Sequence, residues 1–158
     1  MREIICFHNP DEEYAYLSNW YLSVFEVDGV RFSSMEQYMM YQKAVTFHDE
    51  TVADKIMRES DFAKIKQYGR EVSNYDDVVW NGIRQIVVYR GLLAKFSQNE
   101  ELKQRLKKTG DAILAECAVN DRVWATGISM KDDRRFEMNQ WRGENLLGFA
   151  LMQVRQVL

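Results

Sequence analysis

Glu36 and Lys43 stand seven residues apart in the uninterrupted stretch FSSMEQYMMYQKA, Phe32 to Ala44. Seven residues are two helical turns, so on a helix the carboxylate and the amine share nearly one face, with Met39 and Met40 between them. A carboxylate and an amine on an apolar-flanked face can serve as a proton-transfer group and a nucleophile. The stretch opens with Ser33-Ser34-Met35-Glu36, a Ser-x-x-Glu capping box. The plainer alternative is therefore that Glu36 caps the helix and Lys43 is solvated.

Other constellations are weaker one by one. Gly143-Glu144-Asn145-Leu146-Leu147-Gly148 opens the last helical pattern, where free N–H groups and the helix dipole can hold a phosphate. It has two glycines and no clear leading strand, so it is not a dinucleotide fingerprint. Lys66, Gly69 and Arg70 form a second possible phosphate contact, against the alternative of a helix C-cap followed by a surface arginine. The four tryptophans, Trp20, Trp80, Trp124 and Trp141, lie near polar clusters, and an aromatic wall beside polar groups suits a planar heterocycle. Trp80 also fits a core position. Trp124, three residues after Asp121, is the better pocket candidate. Asp121 and Glu116 supply carboxylates of the kind that serve N-glycosidic hydrolysis through an oxocarbenium-like centre.

The elements that must carry these groups follow from periodicity and punctuation. Ile4 to Phe7 reads as a strand, and Val24 to Phe32 alternates around Asp28-Gly29 as a hairpin. Helical patterns run over Ser33–Ala44, Asp49–Glu59, Phe62–Gly69 with Gly69 as C-cap, Tyr75–Phe96, Asn99–Lys108 and Asn145–Leu158. In the longest of these, Val79, Trp80, Ile83, Ile86, Val87, Leu92 and Leu93 form the expected apolar face. Ala112 to Ala118 reads as a late strand, Asn120 to Ile128 as irregular, and Met130 to Glu137 as an exposed loop. The expected class is α+β: a helix-dominated single domain over residues 1–158 with a small antiparallel β element, rather than a repeated βαβ sheet.

The totals narrow the function classes. A net charge of −3 argues against a nucleic-acid scaffold, though a local basic patch is compatible with it. Two cysteines, Cys6 and Cys117, make no CxxC, and with His8 and His48 they complete no metal set, so no metal and no cofactor are expected. Reduced thiols, no apolar leader and no run approaching a membrane span point to a cytoplasmic protein without membrane contact.

As an ordered set these residues resemble the NADAR superfamily, named for NAD and ADP-ribose, and within it the YbiA-like N-glycosidases. The resemblance is carried by Leu17-Ser18-Asn19-Trp20, Asp28-Gly29, Glu36-Gln37-Tyr38, Lys43-Ala44, Lys66 with Gly69-Arg70, and Trp80. It continues through Lys95-Phe96, Thr109-Gly110-Asp111, Glu116, Asp121 with Trp124 and Gly127, Gly143 to Gly148, and Leu151 to Arg155. It implies cleavage of the bond between ribose C1 and an amino nitrogen of a base. The expected substrate is a phosphoribosylamino-pyrimidine intermediate of riboflavin biosynthesis, releasing ribose 5-phosphate. Two alternatives stand beside it: a glycosidase on ADP-ribosylated guanine in nucleic acid, and a non-catalytic ADP-ribose or NAD binding module. The resemblance further implies that Lys43 forms a Schiff base with ribose C1 and that Glu36 or Asp121 moves the proton. Asn19, Trp20, Arg70, Trp80, Trp124, Gly143 and Asn145 are then the expected substrate contacts. A plainer mechanism has the carboxylates support an oxocarbenium ion while Lys43 binds phosphate.

Overall fold

Residues 22–98 fold around one helix, and the chain up to Tyr21 folds with Asn99–Leu158 around one strand. The structure is a computed structural model that describes residues 2–158. The order is β1 (Ile4–Phe7), a 3-10 turn at Ala15–Leu17, β2 (Phe25–Val27), β3 (Val30–Phe32) and α1 (Met35–Thr46). Then come α2 (Glu50–Met57), α3 (Phe62–Arg70), α4 (Asp77–Ser97), α5 (Glu100–Lys107), β4 (Ile113–Glu116) and α6 (Leu146–Val157). The class is α+β and helix-rich, as the periodicity predicts. Among the described residues no helix is long and apolar enough to cross a membrane.

The first unit starts from a tight hairpin. Asp28 and Gly29 both take positive φ, 52° and 80°, the mirror-image turn whose twist matches paired strands. The turn sets Phe25 opposite Phe32 in the antiparallel β2–β3 ladder. Tyr38 of α1 meets both rings edge-on, at centroid distances of 5.9 and 5.2 Å. The cap of α1 differs from the expected one by a residue. Ser34, not Ser33, is the N-cap, and its Oγ accepts the Gln37 N–H at 3.1 Å. Gln37 Oε1 in turn accepts the Ser33 N–H at 2.9 Å, and Gln37 Nε2 donates to Ile56 O of α2 at 3.2 Å. Glu36 therefore does not make the cap.

Helix α1 packs against α2, α3 and α4, which explains why its methionines and Tyr38 are all buried. Two crossings depend on glycine. Gly69 is not a C-cap; it lies inside α3, buried against the Met40 side chain, and the helix runs on to Arg70. A Cβ at Gly91 of α4 would overlap the Tyr38 ring. That ring cannot swing away, because its hydroxyl donates to Val87 O at 2.7 Å. Gly91→Ala should therefore lower stability by about 1–3 kcal/mol, the usual cost of overpacking. A urea midpoint equal to wild type would show that the crossing relaxes.

The buried face of α4 is Trp80, Val88, Gly91, Leu92, Lys95 and Phe96, while Val79 and Ile86 are exposed. The expected face was rotated, because a glycine and a lysine occupy its true centre. Lys95 is wholly buried, and that burial pulls its amine down to about 7. Between about pH 7 and the ordinary 10.5, the unfolded chain holds a proton there that the folded chain lacks, so this group's contribution to stability grows with pH. The stability difference between wild type and Lys95→Met should move in favour of wild type across that window, by up to about 1 kcal/mol per pH unit. Urea midpoints read at several pH values check this; parallel curves for the two proteins would contradict it.

In the second unit β1 and β4 pair in parallel, Ile4 with Ile113 through Phe7 with Glu116. The early and late strands thus form a parallel pair, and among the described residues the antiparallel element is the hairpin. Helix α6 lies on β4 and packs against α5. Tyr16 ties the 3-10 turn down: its hydroxyl donates to Arg105 O at 3.0 Å and the Arg105 guanidinium lies 4.1 Å from its ring centre.

Candidate active site

Lys43 lies in the last turn of α1, half-buried. Its amine is held below the ordinary 10.5, mainly by desolvation. The Asp77 carboxylate works against that shift, and the Arg70 guanidinium adds to it. Nζ sits 4.5 Å from the centre of the Tyr75 ring. An amine with a depressed pKa near an arginine has the two properties that imine chemistry on a phosphorylated sugar asks for: easier access to the neutral form, and a cation to meet the anion. Arg70 is exposed at the end of α3. Gly69, the other half of the expected phosphate contact, is shut inside the α1–α3 crossing and offers no backbone to a ligand.

Glu36 is 4% exposed, so its carboxylate is withdrawn from bulk water on the same helix. Seven residues place it about 10.5 Å along the axis from Lys43. Trp80 is 6% exposed and is a core residue, not a surface for a heterocycle; the apolar face of α4 takes its ring. Tyr75 carries no sequence signal of a role. It lies 32 positions from Lys43, in a loop before α4, and only the fold joins them. Grooves of about 480 and 430 Å³ lie in this unit, and Lys43 lines neither of these. The larger is lined by Tyr41, Val45 and His48 on the opposite side of α1.

In the other unit the expected residues separate into two kinds. Asn19 is 7% exposed with an Oδ1 that has no hydrogen-bond partner among the described residues, and the adjacent Trp20 is 44% exposed. A buried acceptor without a partner is costly unless a ligand completes it. Trp124 is half-buried. Asp121 orders the loop that carries it: its Oδ1 accepts the N–H groups of Val123 and Trp124, both at 2.9 Å.

Gly143 and Asn145 do not form the expected phosphate cradle. The N–H groups of Gly143, Glu144, Asn145, Leu146 and Leu147 all donate to carbonyls of the 122–126 loop, at 2.7 to 3.2 Å. The helix start is closed by protein backbone, so no donors of those five remain for an anion. Asn145 is fully buried with φ of 52°, and its amide bridges β4: Nδ2 donates to Leu114 O at 2.9 Å and Oδ1 accepts the Glu116 N–H at 3.1 Å. The motif clamps α6 to the sheet.

This helix-rich α+β chain has counterparts among known proteins. The chain belongs to the NADAR domain family, whose profile matches residues 6–158. It is similar to N-glycosidase R617 of Acanthamoeba polyphaga mimivirus, 35% identical over 160 residues that cover 96% of this chain and 94% of the relative. N-glycosidase YbiA of Escherichia coli K12 is 31% identical over 155 residues, covering 98% and 88%. Riboflavin biosynthesis protein VVA0006 of Vibrio vulnificus is 32% identical over 158 residues, which span this whole chain and 39% of that protein. The NMR structure of E. coli YbiA superposes with a TM-score of 0.81 at 30% identity, covering 99% of this chain and 84% of that one.

Proposed function

We propose that this chain is an N-glycosidase that hydrolyses the bond between ribose C1 and an amino nitrogen of a base. Its substrate in this reading is a phosphoribosylamino-pyrimidine, and the products are ribose 5-phosphate and the free aminopyrimidine. The observation that carries the reading is the half-buried Lys43 amine, depressed by desolvation, with Arg70 and Asp77 as its charged neighbours. The names of relatives aligned over nearly the whole chain support the bond class, and one of them supports the substrate class.

The chemistry uses the ring-opened glycosylamine, in which C1 is joined to the base nitrogen as an imine. Neutral Lys43 Nζ adds to C1 and gives a geminal diamine. The base nitrogen takes a proton and leaves with the C1–N bonding pair, while the Nζ lone pair forms the new C1=Nζ iminium. Water adds to C1, and the carbinolamine collapses to the sugar aldehyde and the free lysine. The net change is one water consumed and one C–N bond cleaved. Arg70 holds the 5-phosphate. Glu36, buried on the same helix, is the carboxylate proposed to pass the proton.

The test supplies the purified protein with the ribosylamino-pyrimidine phosphate and, separately, with ADP-ribosylated guanine in DNA, following release of ribose 5-phosphate or ADP-ribose. Release of ribose 5-phosphate alone is the expected result. Release of ADP-ribose alone would move the substrate to modified nucleic acid. Binding of ADP-ribose with no release from either would make the chain a binding module.

A further inference from the structure

Tyr75 is fixed from both sides along the chain. Before it, the Ser73 N–H donates to Asp49 Oδ2 at 2.8 Å, and Asp49 is itself the N-cap of α2. Asn74 then turns the backbone through the left-handed region, φ 60°. After it, Asp76 caps α4 by accepting the Val78 and Val79 N–H groups at 2.9 and 3.3 Å. The ring meets Phe47 edge-on at 5.3 Å and 70°. Desolvation, and after it the Asp77 carboxylate beside the hydroxyl, lifts its pKa. The ring, 40% exposed and held against Phe47, has the Lys43 nitrogen over its face, 4.5 Å from its centre.

We infer that Tyr75 is a positioning residue for Lys43, whose ring face holds the lysine nitrogen in its cationic forms, the ammonium and the protonated iminium. A π face attracts a cation and does little for a neutral amine. The charged groups facing the nitrogen are Asp77 from α4 and Arg70 from α3, of opposite sign, so the ring adds to Asp77 and opposes Arg70 and desolvation. When the geminal diamine expels the base, positive charge develops on Nζ directly over the ring, which favours that step. The ammonium half of the inference concerns Lys43 alone; the iminium half rests on the proposed N-glycosidase chemistry.

Tyr75→Phe keeps the ring and Tyr75→Leu removes it. The amine can be titrated without turnover, by ¹³C reductive methylation and NMR, with Lys43→Arg identifying the resonance. Lys43 in Tyr75→Leu should titrate about half a pH unit lower than in wild type, and in Tyr75→Phe close to wild type. The alkaline-side rise of the kcat profile should show the same split, and borohydride trapping of the sugar adduct should drop several-fold in Leu and return in Phe. Identical titration in all three proteins would overturn the inference. A shifted titration with no trapped adduct in any protein, wild type included, would keep the ring on the ammonium and remove the imine chemistry instead.

Discussion

Lys43→Ala is expected to lower kcat by about a thousandfold or more while leaving the fold intact, as loss of a covalent nucleophile does. The side chain is half-buried and its one ring contact is worth only about 0.5–1 kcal/mol, so the urea midpoint should shift little. Lys43→Arg separates the two mechanisms compatible with the residue. Arginine keeps the positive charge and can hold phosphate, but it has no amine that loses a proton near neutrality. If Lys43 forms the imine, Arg is as inactive as Ala, and KM for the phosphate-bearing substrate stays near wild type. If Lys43 only binds phosphate, Arg retains most of kcat. Single-turnover release of ribose 5-phosphate measures both.

The second large effect is on stability. Asn145→Ala leaves Leu114 O and the Glu116 N–H of β4 without the amide that satisfies both. Each unsatisfied buried backbone group costs about 1–3 kcal/mol, and alanine at φ 52° adds roughly 1 kcal/mol more. The expected loss is about 3 kcal/mol or more. Gly148→Ala strikes the same contact from the other side, because a Cβ there would overlap Leu114 O and come within 2.6 Å of the Asn145 amide. Because both changes break one α6–β4 contact, the double variant should lose less than the sum. Urea midpoints for the three variants check this; full additivity would show that the clamp is not one unit. The same result would support a structural role for the Gly143–Gly148 motif, since a phosphate contact would alter KM and not the midpoint.

Elements with a strong local signal were legible in the sequence. Asp28-Gly29 made the hairpin and the helical pattern from Phe62 starts where α3 starts, whereas the pattern from Tyr75 begins two residues early because Asp76 is the N-cap of α4. Where two local solutions compete, tertiary contacts decide. The expected box runs from Ser33 to Glu36, and the cap lies one residue on, at Ser34 and Gln37, where the Gln37 amide also reaches Ile56 O. Gly69 resembles a helix end until Met40 is seen packed against it. The buried stripe of α4 was misread because Gly91 and Lys95 carry no apolar signal, yet one admits the Tyr38 ring and the other is wholly enclosed. Gly143 to Gly148 looked open to phosphate because the carbonyls that close it come from a loop about twenty residues earlier. Tyr75 was invisible for the same reason: its relation to Lys43 exists only across the fold.

Sodium borohydride trapping tests the central claim most directly. The wild-type protein is incubated with ribose 5-phosphate and, separately, with the ribosylamino-pyrimidine phosphate, reduced, digested and read by mass spectrometry. The predicted result is one reduced sugar adduct on the peptide that carries Lys43, absent from Lys43→Ala and Lys43→Arg. Equal adduct in those variants, or steady release of ribose 5-phosphate by a wild type that never traps, would contradict a covalent lysine.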